Sequence, residues 1–222
     1  MRSLYVSPTS FALQMRTLAL LGYTGLSMGA LMPYIRGEKT GQVIGITFDD
    51  GYVNNLYHAL PVLKQLGFSS TCYVVSELLG QSNVWDHAQG IASAPLMDLS
   101  QLQAWQSGGQ EIGSHTRHHV DLTAIDAQTC QIEIQTSRVD LSHRLGTDIQ
   151  QFCYPYGRYT QQHIDMVQAA GYVAATTTQR GKVHPAADHL LELRRIPVVR
   201  STALPQFLLK VLSSYEDRYR RV

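Results

Sequence analysis

Cysteine is scarce in this chain. Cys72, Cys130 and Cys153 are odd in number and scattered, so no disulfide framework is implied, and no Cys-x-x-Cys pair offers a metal site. Neither sign of charge is in excess. Eighteen Lys and Arg against 17 Asp and Glu leave a formal net charge of +1, mixed along the chain, which argues against nucleic acid as the main partner. A long unbroken apolar run is also missing. The most apolar stretch, residues 17–35, is interrupted by Gly22, Gly25, Gly29 and Pro33 and carries Tyr, Thr and Ser throughout. A spanning helix should be longer and cleaner, and a secretory segment should lie nearer the start with small residues behind it. The expectation is therefore no integral membrane segment and a cytoplasmic location, with a periplasmic or extracellular one as the alternative if the start is truncated. Internal repeats, linkers and low-complexity tracts are absent too, and 222 residues can bury the full core of one α/β domain.

Within that frame, short apolar segments rich in β-branched and aromatic residues recur at 43–48, 70–75, 110–114, 151–154, 173–177 and 193–198. Helical patterns separate or flank them at 54–66, 100–107, 124–146, 161–170 and 204–215. Alternation of this kind predicts a parallel sheet with crossover helices. Ahead of it, residues 10–21 read as a helix capped by Thr9 or Ser10 and ended at Gly22, followed by a short strand and a short helix. The charged tail, 215–222, reads as solvated or frayed.

The run Val43-Ile44-Gly45-Ile46-Thr47-Phe48-Asp49-Asp50-Gly51 ends a buried strand in two adjacent carboxylates. Neighbouring side chains on a regular strand point to opposite faces, but a strand end loosened by glycine can bring both to one pocket. Their like charges then call for a cation between them. A metal would take one as a ligand and leave the other free as a base, whereas the plain alternative is an acidic turn. Farther on, Glu111-Ile112-Gly113-Ser114-His115-Thr116-Arg117-His118-His119 carries three histidines beyond another strand. His115 and His119, four apart, share a face if a helical turn begins there. One carboxylate and two imidazoles leave positions open for water and substrate, as a catalytic zinc site requires. His118 is assigned a supporting or exposed role. In Phe152-Cys153-Tyr154-Pro155-Tyr156-Gly157-Arg158, Pro155 fixes one backbone angle and Gly157 frees another, so the loop can present a rigid N–H. An ordinary aromatic turn is the competing reading. Cys153 reads as a packing thiol rather than a nucleophile.

Thr47-Phe48-Asp49-Asp50-Gly51 and His115-Thr116-x-x-His119 resemble the first two motifs of the polysaccharide deacetylases, carbohydrate esterase family 4, and residues 152–158 resemble the third, with Cys153 where many members have arginine. The likeness extends over about residues 43–198. It implies an α/β fold, an irregular (β/α) barrel of about seven parallel strands in a single domain. By the resemblance Asp49 is the base, and Asp50, His115 and His119 hold a divalent metal, zinc by first choice. The Tyr156 N–H faces the developing oxyanion, and Arg195 contacts the base. The implied activity is a metal-dependent hydrolase that removes N-acetyl groups from an amino sugar in a polysaccharide or glycan intermediate, with an N-acetylated carbohydrate as its partner. Two features depart from the family. No histidine follows His189, so the late Leu-x-His acid is missing, leaving His184, His189 or Asp49 itself to protonate the leaving group. Some members also carry an earlier strand with its own histidine, so either the start is truncated or the barrel opens there. Other readings are a carbohydrate-binding relative without turnover, a hydrolase of non-sugar amides, and a non-haem iron site, which has no need of the second carboxylate.

Overall fold

The computed structural model describes residues 5–219. Its centre is a six-stranded parallel sheet in sequential order: β3 (Thr47–Phe48), β4 (Thr71–Val74), β5 (Glu111–Ser114), β6 (Gln151–Cys153), β7 (Ala174–Arg180) and β8 (Leu193–Arg195). Two earlier strands, β1 (Thr24–Leu26) and β2 (Val43–Gly45), form a separate parallel pair. The predicted strand 43–48 is thus one extended run shared between two sheets, and Ile46 is the pivot. Its N–H donates to Leu26 O at 3.0 Å, and its carbonyl accepts from Thr71 N at 2.9 Å. Each half keeps its backbone groups paired by changing partner there.

Helices cross over between consecutive strands: α3 (Leu60–Leu66), α4 (Leu99–Ser107), α5 (Ala127–Leu145) and α6 (Gln161–Ala169). Two helices precede the main sheet, α1 (Pro8–Leu20) and α2 (Met28–Ile35), and α7 (Leu204–Leu212) follows it. The first helix begins two residues earlier than predicted. Ser7 is its cap, with Oγ accepting from Ser10 N at 3.1 Å, and Pro8 fills the first turn, where its missing N–H costs nothing. The sheet curls into a half-barrel around a core that includes Trp105, Phe152, Leu63, Leu102 and Ile134, all fully buried. Strands β3 and β8 are its free edges. The Arg195 side chain spans them, donating to Thr177 O at 2.8 Å and Thr47 Oγ1 at 3.2 Å.

The C-terminal segment corrects the expectation of a solvated tail. Residues 216–219 form a 3₁₀ turn, and Glu216 is fully buried. Its carboxylate accepts from Lys210 Nζ at 2.7 Å and from Arg180 Nε and Nη2 at 2.8 and 3.0 Å. Residues 220–222 lie outside the described part. Among the described residues no helix is long and apolar enough to cross a membrane; residues 17–35 divide among α1, β1 and α2.

Candidate active site and metal centre

Asp49, Asp50, His115 and Tyr156 all follow the C-terminal ends of strands, and Arg195 ends β8, so the parallel sheet gathers them at one mouth. The doublet after β3 separates because Asp50 and Gly51 both take left-handed backbone conformations, with φ of 71° and 81°. Glycine is required at the second position: a Cβ there would lie 2.9 Å from Val74 Cγ1. The turn sends the two carboxylates to different partners.

Asp50 faces the histidines. Its Oδ1 lies 3.5 Å from His115 Nε2 and 3.3 Å from His119 Nε2. Ligand atoms at ordinary zinc bond lengths around a tetrahedron stand about 3.3–3.5 Å from one another, the two separations that Asp50 keeps here, and all three donor atoms lie within 4.8 Å of one another, so the group could hold such an ion. The tautomer agrees. His115 Nδ1 lies 2.7 Å from Cys153 O, and a carbonyl only accepts, so the ring proton sits on Nδ1 and the Nε2 lone pair faces Asp50. Burial lowers the pKa of His119, favouring the neutral form a metal needs, although Asp50 pulls the other way. Both imidazoles are buried, at 2 % and 6 % exposure.

The histidines do not converge through a helical turn, as their spacing predicts. Residues 115–119 form an irregular loop in which Thr116 and His119 have φ of 65° and 58°. Such conformations are costly for residues with a Cβ and persist only where the surroundings enforce them. The enforcing group is Glu133 on α5, 5 % exposed, whose Oε2 accepts from Arg117 N at 2.9 Å and His118 N at 3.0 Å. Its Oε1 meets His118 Nδ1 at 2.6 Å, while Thr116 Oγ1 accepts from His119 N at 3.0 Å. His118 therefore turns away from the metal ligands toward Glu133.

Asp49 faces Arg195 instead. The pair is bidentate: Nη1 to Oδ1 at 2.7 Å and Nη2 to Oδ2 at 2.8 Å. Burial alone would raise the Asp49 pKa. The charge and hydrogen bonds of Arg195, with smaller help from the two histidines, override burial and hold it near 2. Cys153 packs against this pair, with its Sγ 3.3 Å from Arg195 Nη2. Burial pushes its thiol up to about 12, so it stays protonated at neutral pH and is no nucleophile. Arg194 points elsewhere, to the Arg180 carbonyl.

Tyr156 sits in the turn after β6 with φ of 58°, and its ring meets the His119 ring edge-on at 4.7 Å. Gly157 permits this turn to press against β7, since a Cβ there would lie 1.8 Å from Thr178 Oγ1. His184 and His189 are half-exposed and face Asp217 and Glu192, each at 3.8 Å; neither is paired with Asp49 or Asp50. Sequence reasoning did not single out Glu133, Trp85 or Asp86. Trp85 stacks on the His119 ring at 4.3 Å, and Asp86 is buried beside it. A carboxylate on the buried side of helix 127–145 was the only available signal for Glu133.

A family model described as polysaccharide deacetylase matches residues 36–175. The Bacillus subtilis protein YxkH, which carries that family's name, is 28% identical over 181 residues, covering 81% of this chain and 61% of that one. The chain thus spans about three-fifths of that relative's length. The solved structure of the Streptococcus pyogenes deacetylase PplD in complex with acetate has a TM-score of 0.81 at 25% identity, covering 94% of this chain and 88% of that one. A polysaccharide deacetylase from Bacillus cereus has a TM-score of 0.79 at 26% identity, covering 95% and 63%.

Proposed function

Because the chain belongs to the polysaccharide deacetylase family, we propose that it is a metal-dependent hydrolase removing N-acetyl groups from an amino sugar in a polysaccharide or glycan intermediate. One observation carries this reading: two adjacent carboxylates have divided their partners, Asp50 toward two imidazole nitrogens and Asp49 toward an arginine. Asp50, His115 and His119 would hold the ion. When bound, a divalent metal, zinc by first choice, supplies Lewis acidity and lowers the pKa of water.

Asp49 acts as the base. Arg195 keeps it ionised and fixes its orientation, at some cost in intrinsic basicity. It takes a proton from water as the oxygen attacks the acetamide carbonyl. The Tyr156 N–H, held by the left-handed turn, donates to the oxygen that becomes negative, and a preorganised donor of this kind favours the transition state over the ground state. Collapse breaks the C–N bond and releases acetate. With His184 and His189 directed at Asp217 and Glu192, Asp49 returns the same proton to the departing nitrogen, giving the free amine.

The test is acetate release from N-acetylglucosamine oligomers and simple cyclic amides, using chelator-treated protein before and after zinc is restored. Release from the oligomers that depends on restored metal is the expected result. Metal-independent release, or release only from the cyclic amides, would refute the proposed function.

A further inference from the structure

The segment between β4 and α4 folds over the mouth as a clasped flap. Asn83 ties it: Oδ1 accepts from Ala94 N at 2.7 Å, and Nδ2 reaches Ala92 O at 3.4 Å and Asp86 Oδ2 at 3.1 Å. An antiparallel bridge between Ser82 and Pro95 closes its base. The clasp fixes Trp85 against His119 and sets Asp86 into the wall of a cavity of about 1100 Å³ that reaches from the mouth to Met15 and Phe207 and that Tyr52, His119 and Tyr156 also line. Asp86 is 1 % exposed, and its Oδ1 has no hydrogen-bond partner among the described residues. Buried polar atoms in native proteins are nearly always paired, and an unpaired one at a site calls for a ligand. The contrast with its neighbours is plain: Asp49 has Arg195, Glu133 has His118 and two amides, and Asp50 has the histidines.

We propose that Asp86 is a substrate-binding residue whose free Oδ1 accepts a hydrogen bond from a hydroxyl of a neutral N-acetylhexosamine and turns away sugars that carry a carboxylate. This deepens the deacetylase reading and rests on it. A carboxylate oxygen only accepts, so the ligand must bring an O–H or N–H, which sugar hydroxyls supply. The bond to Asn83 holds the acceptor in place before substrate arrives, so little ordering is lost on binding. Trp85 and the partly exposed Tyr156 ring add flat apolar surface beside it, of the kind a sugar ring can cover. A fixed buried carboxylate on the same wall repels an acidic substituent at close range.

The experiment compares wild type with Asp86→Asn on two probes, neutral N-acetylglucosamine pentamer and an N-acetylmuramic-acid-containing oligomer of similar length. Asparagine can keep the Asn83 contact through its carbonyl while presenting an NH₂ to the cleft. For the neutral pentamer, KM should rise about ten- to hundredfold, the loss expected for a hydrogen bond to a charged group, with kcat within a few-fold of wild type. The wild-type preference for the neutral probe should shrink by a similar factor. Affinity for cobalt, followed by its visible absorption, should not change. An unchanged KM with unchanged preference would overturn the proposal. So would a loss of cobalt affinity that accounts for the whole effect, because Asp86 would then serve the unpartnered His119 Nδ1 instead. Wild-type protein that releases acetate from neither probe refutes the deacetylase reading itself. In that case calorimetric affinity for the pentamer, wild type against Asp86→Asn, still decides the role of Asp86, and absence of any wild-type binding refutes it.

Discussion

Among the described residues two carboxylates are held bidentately by arginine: Asp49 at the mouth of the half-barrel and Glu216 near the C-terminal end of the chain. Glu216 is fully buried and takes two cations, Arg180 and Lys210. Asp49 takes one cation, keeps 35% of its side chain exposed, and lines the cavity. Their backbones differ as well. Among the described residues five non-glycine residues have positive φ, and four of them, Asp50, Thr116, His119 and Tyr156, lie in the loops that follow β3, β5 and β6 at the mouth. The fifth, Ala186, lies in the segment before β8. One carboxylate is buried with both oxygens paired to cations; the other sits among strained turns and is left open on one side, which is how structures distinguish a site from a brace.

The sharpest way to break the comparison is to neutralise each carboxylate. Asp49→Asn leaves the three proposed metal ligands untouched. It should retain the metal but lose several powers of ten in turnover, beyond the typical 10²–10⁴ of a general base if Asp49 also serves as the acid. Metal content and acetate release on the same preparation test both halves. Loss of metal in Asp49→Asn, with retention in Asp50→Asn, would reverse the two roles.

Glu216→Gln should do the opposite. Removing one partner of a buried pair leaves Lys210 and Arg180 without their anion, at about 3–5 kcal/mol of stability. Turnover per folded molecule should stay the same, because the side chains that hold Glu216, Arg180 and Lys210, are not the groups that hold Asp49 or Asp50. Denaturant unfolding and the rate on the folded fraction are the two measurements, and a rate loss without a stability loss would contradict the assignment.

Glu133 lies between these extremes, a structural carboxylate whose structure is the site's own loop. Glu133→Ala should weaken metal affinity about 10–100-fold, the range for groups that orient metal ligands. Glu133→Gln should restore most of it, since one amide oxygen can still accept from both Arg117 N and His118 N, as Oε2 does now. Equal losses in both variants would mean that the charge, not the clasp, is what matters.

The same contrast explains what could be read from the chain. Strand positions were legible because apolar runs bounded by turn residues are local signals, and the candidate residues Asp49, Asp50, His115 and His119, which follow strand ends, meet at one mouth for that reason. The geometry that brings them together was not legible. Spacing suggests a helical turn for His115 and His119, whereas a strained loop does the work, held by Glu133 from a helix fourteen residues on. Ile46 divides one strand between two sheets because Leu26 and Thr71 come from different parts of the chain. Glu216 looked solvated in a charged tail, since its burial depends on Arg180, 36 residues away. Asp86 lacked any periodic signal, and only the folded flap shows that one of its oxygens is unpaired.

The smallest effect is the pH dependence of the C-terminal brace, and its sign follows from linkage. Burial alone would raise the Glu216 pKa, but hydrogen bonds and charges from Arg180 and Lys210 override it and bring the pKa below the ordinary value of 4.5. A carboxyl with a depressed folded pKa contributes stability that is fully present above its unfolded pKa and is lost as pH falls through the folded one. Wild type should therefore exceed Glu216→Gln by a constant margin above about pH 5. Below pH 4.5 that margin should shrink, at no more than about 1.4 kcal/mol per pH unit, because the carboxyl of the unfolded chain takes up a proton while the folded one stays ionised. Taking the difference between the two proteins removes the other titrating carboxylates, Asp49 included, because both carry them equally. A margin that grew toward acid would mean that burial wins over the two cations, and Glu216 would then be a carboxyl kept neutral by the fold rather than the anion at the centre of a brace.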